Sequence, residues 1–304
     1  MGFSKLFGGV KSIHKTVLKG DIEAVEEMIN SGVDINQPDK KGIFPLGIAL
    51  REGYTSIVDL LLKSGAVVNP ETQISGSYLH GLCAQQWQVA EMARSLIKYG
   101  AEIDLKDKNG ATPLFFAVME GKTELAKVLI DAGANINTTD NFGAGLLAVA
   151  LAKGHWEMAE FLAIHNINPN FKSQNGNTAA HMAFMVPCPV ETMRFLIEKG
   201  LDINVQNNNG ETALHIAVET HNLGMIELLE EKGAKVNLQT KDGLTPLHIA
   251  VEMRSTTITE ILLRNGADKN IKTKDGKFPI DFIKRIYTTE EKLIKEMLQE
   301  KDSP

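Results

Sequence analysis

An all-α array of stacked helix–turn–helix units is the fold class this chain predicts, and three ladders of residues predict it. Gly42, Gly76, Gly110, Gly143, Gly176, Gly210, Gly243 and Gly276 follow one another at intervals of 33 or 34 residues. A second series, Gly32, Gly65, Gly100, Gly133, Gly200, Gly233 and Gly266, keeps the same beat, with Asn166 in the slot that lacks glycine. The third consists of Asn36, Asn69, Asn137, Asn170, Asn204, Asn237 and Asn270, with Asp104 in the gap. Self-similarity at such a period marks units that bury their apolar faces only against their neighbours.

Each period reads as one mechanical unit. A D-x-x-G loop comes first, as in DKNG (107–110). Thr112 or Thr245 then caps a helix, and Pro113 or Pro246 fills its first turn, where the missing N–H costs no hydrogen bond. A short helix over LFFAVMEG (114–121) is followed by a second over TELAKVLIDAG (123–133), whose apolar residues recur at i, i+3 and i+4. Gly133 stops that helix in the left-handed conformation glycine tolerates. ANIN (134–137) leads into the next loop.

The stretches DGLTPLHIA (242–250), NNNGETALHIA (207–217) and DKNGATPLFFA (107–117) resemble the ankyrin repeat pattern D-x-x-G-x-T-P-L-H-x-A. The resemblance covers almost the whole chain. It implies a curved solenoid of stacked helix pairs with β-hairpin-like loops and a concave face, roughly 80–90 Å long at ordinary helix spacing. Nine units are expected, beginning near residues 4, 39, 73, 107, 140, 173, 207, 240 and 273. They form one domain over 1–304, with an N-terminal cap (1–38), seven internal repeats (39–272) and a C-terminal cap (273–304). Phe3, Leu6, Phe7 and Val10 make an i, i+3, i+4, i+7 stripe suited to covering one end. The closing segment swaps the motif for FPIDFI and turns strongly charged, as an outer capping helix should, so a whole array is expected.

Composition narrows the function. Hydrophobic residues make up 43% of 304, and the formal net charge is −6, which lacks the basic stripe of a nucleic-acid binder. The longest apolar run, FGAGLLAVALA (142–152), is too short to span a bilayer. The N-terminus lacks the apolar core of a secretion signal, and Leu6 stands where a myristoylation pattern wants Ser or Thr. A cytoplasmic protein is expected, with a secreted effector as the alternative for a pathogen or symbiont. Cys83 and Cys188 fall in units far apart along the array and in no metal-ligand spacing, so neither a disulfide nor a metal site is expected.

His14, His80, His181, His215 and His248 recur at or near one slot in five units. A catalytic base is needed once; five copies indicate scaffolding, and the resemblance implies a pin bonded to the Thr of its own motif. The Glu pairs at 26–27, 230–231 and 290–291 read as solvated helix faces. No phosphate-binding, nucleophile-elbow or zinc-protease motif occurs. No enzyme activity and no cofactor or metal is expected. In animal members of the family the ladder asparagines can be hydroxylated where acidic residues precede, as in LEEKGAKVN (229–237); alternatively, Asn simply suits the loop backbone.

Recognition remains: a scaffold that is monomeric on its own and binds another protein, with no membrane or nucleic-acid partner. The alternatives are an effector aimed at a host protein, or a regulatory subunit of an enzyme encoded elsewhere. The resemblance puts the partner on loop tips and the open side of the first helices. On this sequence those positions are Lys108, Asn109, Met119, Glu120, Asn141, Phe142, Lys153, Gln174, Asn175, Met185, Val186, Asn208, Asn209, Glu219, Lys241, Glu252 and Met253. Lysine marks the tips near both ends (Lys40, Lys41, Lys241, Lys274, Lys277), while Phe142, Met119, Met185 and Val186 form an apolar centre, the pattern of an interface core and rim.

Overall fold

The computed structural model describes residues 12–70, 76–86, 88–283 and 288–299. The apolar stripe from Phe3 to Val10 lies outside them. Among the described residues there are helices and no strands. They come in pairs: α1 (Ile13–Leu18) and α2 (Ile22–Asn30), α3 (Pro45–Glu52) and α4 (Thr55–Lys63), α5 (Tyr78–Cys83) and α6 (Val89–Lys98), α7 (Pro113–Met119) and α8 (Thr123–Asp131). The series continues with α9 (Leu146–Lys153) and α10 (Trp156–Ala163), α11 (Ala179–Met182) and α12 (Val190–Glu198), α13 (Ala213–Glu219) and α14 (Leu223–Glu231), α15 (Pro246–Glu252) and α16 (Thr256–Arg264). A 3₁₀ turn (Pro279–Phe282) and α17 (Thr289–Gln299) take the ninth place.

The chain divides into two compact units, 1–141 and 142–304. In each, first helices stack on first helices and second helices on second helices: α1 on α3, α5 on α7 and α4 on α6 in the first unit, α13 on α15 and α12 on α14 in the second. The apolar spacing read from the sequence is what they bury. Leu114, Ala117, Val118, Leu125, Ala126 and Leu129 are fully inaccessible within repeat 4, and Ala217, Val218, Met225, Ile226 and Leu229 are equally so in repeat 7, with Leu214 at 1%. Each large aliphatic side chain so buried contributes about 1.5–3 kcal/mol.

Polar groups fix the spacing between repeats. The first residue of the loop motif closes a hairpin on the residue four places on: Asp107 N–H donates to the Ala111 carbonyl at 2.9 Å, Asn207 to Glu211 at 2.9 Å, and Thr240 to Leu244 at 2.8 Å. Successive tips then join, with Asn141 N–H donating to the Asn109 carbonyl, Asn208 to Asn175, Lys241 to Asn209 and Lys274 to Asp242 at 2.7–3.0 Å. Glycine is required where this happens. A Cβ on Gly210 (φ +79°) would stand 2.8 Å from the Lys241 nitrogen.

The asparagine ladder is a second set of ties. Asn204 Nδ2 donates to the Gly233 carbonyl at 3.3 Å and its Oδ1 accepts from Lys235 N–H at 2.7 Å. Asn36, Asn69, Asn170 and Asn237 make the same two bonds to their following repeats. Asp104 can only accept, taking Asn135 N–H at 3.1 and 3.2 Å, so that step of the ladder lacks the donor half.

Candidate interaction surface

The repeated histidines are bound up in the framework. In His80, His181, His215 and His248, Nδ1 accepts from the backbone N–H of Ser77, Thr178, Thr212 and Thr245 at 2.9, 3.1, 3.1 and 3.1 Å. Each Nε2 lies 3.0–3.3 Å from a carbonyl of the following hairpin: Ala111, Glu211, Leu244 and Lys277. The rings are 6, 3, 0 and 0% exposed, and burial pushes all four imidazoles below the usual histidine range. Nδ1 accepting and Nε2 donating leaves no lone pair for a substrate or metal.

His14 departs from the expectation. Ser12 precedes it by two places, not three; its Nδ1 lies 3.3 Å from Ser12 Oγ and its Nε2 is buried with no partner. Thr112 caps α7 by accepting from Phe115 N–H at 3.3 Å, since Phe115 stands where the other motifs have histidine. Pro113 and Pro246 occupy first helical turns.

Two carboxylates read as solvated are not. Glu291 is 3% exposed, accepting from Arg254 Nε at 2.6 Å and from Thr288 N–H at 3.1 Å. That contact fastens α17 to the preceding repeat, a role its charged sequence hid. Glu230 accepts from Asn265 Nδ2, its second oxygen is buried without a partner, and desolvation raises its carboxyl to about 7. Cys83 and Cys188 are buried free thiols, both pushed up to about 12 by burial, which suits packing and not nucleophilic attack. Among the described residues no group of three His, Cys, Asp or Glu is placed to hold a metal ion. No described helix is long and apolar enough to cross a membrane.

The positions predicted for a partner differ in exposure. In the first unit, Lys108, Asn109, Glu120 and Asn141 are exposed and Met119 is half-buried. In the second, Lys153, Gln174, Asn175, Asn208, Asn209, Glu219, Lys241 and Glu252 are exposed, with Val186 and Met253 half-buried. Some polar candidates are already engaged: Asn208 Nδ2 donates to the Gln174 carbonyl at 2.8 Å, and Asn141 Nδ2 to that of Lys108 at 3.3 Å. The apolar candidates also separate. Val186 is half-buried beside Gly154, its Cγ2 3.5 Å from where a Cβ would stand. Phe142 and Met185, by contrast, are 63% and 66% exposed, large values for side chains of that size.

Two features escaped the sequence. Ile164, 59% exposed, caps α10 where Ser64, Lys199 and Lys232 cap theirs; that substitution was its only signal. A half-open hollow of about 720 Å³ lies in the first unit, walled by Phe44, Gly47, Leu50, Tyr78, Leu82 and Leu105 among others. Its signal was Gly47, standing where a pin would be. The Tyr78 ring lies 3.3 Å from the missing Cβ, and its buried hydroxyl, raised to about 12 by desolvation, has no partner.

Stacked helix pairs with tied loops define a helical repeat protein. A family profile described as "Ankyrin repeats (3 copies)" matches residues 79–173, 133–207 and 180–273. The chain belongs to the ankyrin repeat family. Among curated relatives, it is 43% identical over 90 residues to alpha-latrotoxin-Lg1a of Latrodectus geometricus, covering 29% of this chain and 6% of the toxin. It is 33% identical over 112 residues to the B-cell lymphoma 3 protein homolog of Mus musculus, 36% of this chain and 25% of that one. It is 40% identical over 58 residues to protein phosphatase 1 regulatory subunit 27 of Homo sapiens, 19% of this chain and 38% of that one. The chain thus spans well under two thirds of each relative's length. Ankyrin repeats generally mediate protein–protein interaction and are typically non-enzymatic.

Proposed function

We propose that this chain is a non-enzymatic scaffold that binds a partner protein through its hairpin tips and the open sides of its first helices. The observation that carries the reading is the exposure of Phe142 and Met185, at 63% and 66%, the largest among the exposed apolar side chains of the described residues. Charged positions such as Lys153, at the end of α9, and Lys241, at a hairpin tip, then serve as a polar rim, and methionine adapts to an irregular partner. A regulatory role is favoured by the local likeness to a phosphatase regulatory subunit; in it the bound partner is an enzyme and this chain supplies no chemistry.

A photo-crosslinking residue placed at position 142 or 185 tests the reading. The expected result is one protein captured at both positions and lost from pull-downs with the Phe142→Ala/Met185→Ala chain. Equal capture by the double variant overturns the surface. A catalytic activity that vanishes on changing one pinned histidine overturns the scaffold.

A further inference from the structure

His181, His215 and His248 follow one another in three consecutive repeats of the second unit, and each joins two repeats. Nδ1 takes the Thr N–H that opens its own helix, and Nε2 reaches the carbonyl that closes the next hairpin. The Thr hydroxyls add contacts of 3.0, 2.9 and 2.8 Å to the same Nδ1 atoms. All of this requires a neutral imidazole with its proton on Nε2. An imidazolium carries N–H on both nitrogens, so Nδ1–H would face the Thr N–H, donor against donor.

We propose that these three histidines form an acid-sensitive clasp, which holds repeats 6 to 9 in register at neutral pH and loosens the hairpins as the medium acidifies. The charges around them do not rescue the cation. Glu211 favours it at His181 and His215, while Lys172 opposes it at His181 and His181 opposes it at His215. His248 has only the edge of the Phe282 ring, 5.6 Å away, and backbone carbonyls. Burial is the largest influence on all three and lowers them. The sign follows: a folded value below the unfolded 6.5 leaves the clasp's stability complete above about pH 6.5 and removes it as pH falls below that. Each unit of depression amounts to about a tenfold change in the local closing equilibrium per histidine. The loosened hairpins carry Asn208, Asn209 and Lys241, so partner binding would weaken with them.

Glu230 acts in the opposite sense over neighbouring pH, so the test uses the Glu230→Gln chain. Hydrogen exchange is followed at pH 7.5 and 5.5, corrected for the intrinsic exchange rate. Protection over 207–218 and 240–251 should fall severalfold on acidification, while repeat 5 (146–163), with Ala148 in its slot and Phe115 in the slot before it, should keep its protection. Unchanged protection over 207–251, or an equal fall in repeat 5, overturns the clasp. His215→Gln should be less protected at pH 7.5 and respond less to acid. Nitrogen-15 titration of the imidazoles in the unmodified chain decides even if that variant does not fold. Midpoints below 6.5 with the proton on Nε2 support the clasp; midpoints at or above 6.5 refute it.

Discussion

Repeats 6 to 8 and repeats 2, 4 and 5 build the same helix pair by different means. The former close each joint with a buried Thr–His–carbonyl chain. The latter put Gly47, Phe115 and Ala148 in the histidine's place and leave the joint to packing: Phe115 and Ala148 are 6% and 8% exposed, and the Tyr78 ring moves into the room beside Gly47. The backbone hairpin is the same in both, closed at 2.9 Å from Asp39 to Ile43 and from Asn207 to Glu211. The period is therefore set by backbone ties and apolar faces, and the polar clasp is an addition that brings a dependence on protonation.

The largest effects should come from breaking one joint of each kind. Phe115→Ala should cost about 3–5 kcal/mol through its cavity. His215→Ala should cost about 3 kcal/mol through cavity and stranded donors together. Chemical denaturation at two pH values separates them, because the Phe115 cost should not change between pH 7.5 and 5.5 and the His215 cost should shrink. Restoring a histidine where packing has replaced it should fail: Gly47→His meets the Tyr78 ring and should lose about 1–3 kcal/mol. A gain in melting temperature there would show that the slot is still open to a pin.

Smaller effects sharpen the contrast. Asp104→Asn supplies the donor its ladder step lacks, toward the Gly133 carbonyl, and should stabilise the first unit by about 1 kcal/mol. Glu230→Gln should remove a stability gain that the native chain shows as pH falls from about 7 toward 4.5, since a carboxyl raised in the fold is favoured there when protonated. His221 sits in the tight turn at φ +52°, where Gly121 and Gly154 occupy the matching place, so His221→Gly should stabilise by a few tenths of a kcal/mol, about half the strain relieved.

The repeats were legible because their period is written in residues with strict backbone demands. The helices read over 114–121 and 123–133 are Pro113–Met119 and Thr123–Asp131, since Thr112, Pro113 and Gly133 mark ends by cap, ring and left-handed turn. The exposed surface was legible only in part. Tip positions follow from the period, but Phe142 and Val186 look alike as apolar letters, and only the half-burial of Val186 beside Gly154 separates them. Glu291 and Glu230 look solvated in the sequence for a related reason: their environment comes from residues 37 and 35 places away, Arg254 and Asn265, which no local pattern encodes. His14 shares its neighbours' spacing and lacks their cap.

The most direct measurement pairs partner affinity with melting temperature for Phe142→Ala/Met185→Ala and for His215→Ala, all in the full chain. The double variant should lose affinity at least tenfold with its melting temperature unchanged, while His215→Ala should melt earlier. A double variant that binds as the native chain does, or that loses stability in step with binding, would contradict the proposed surface.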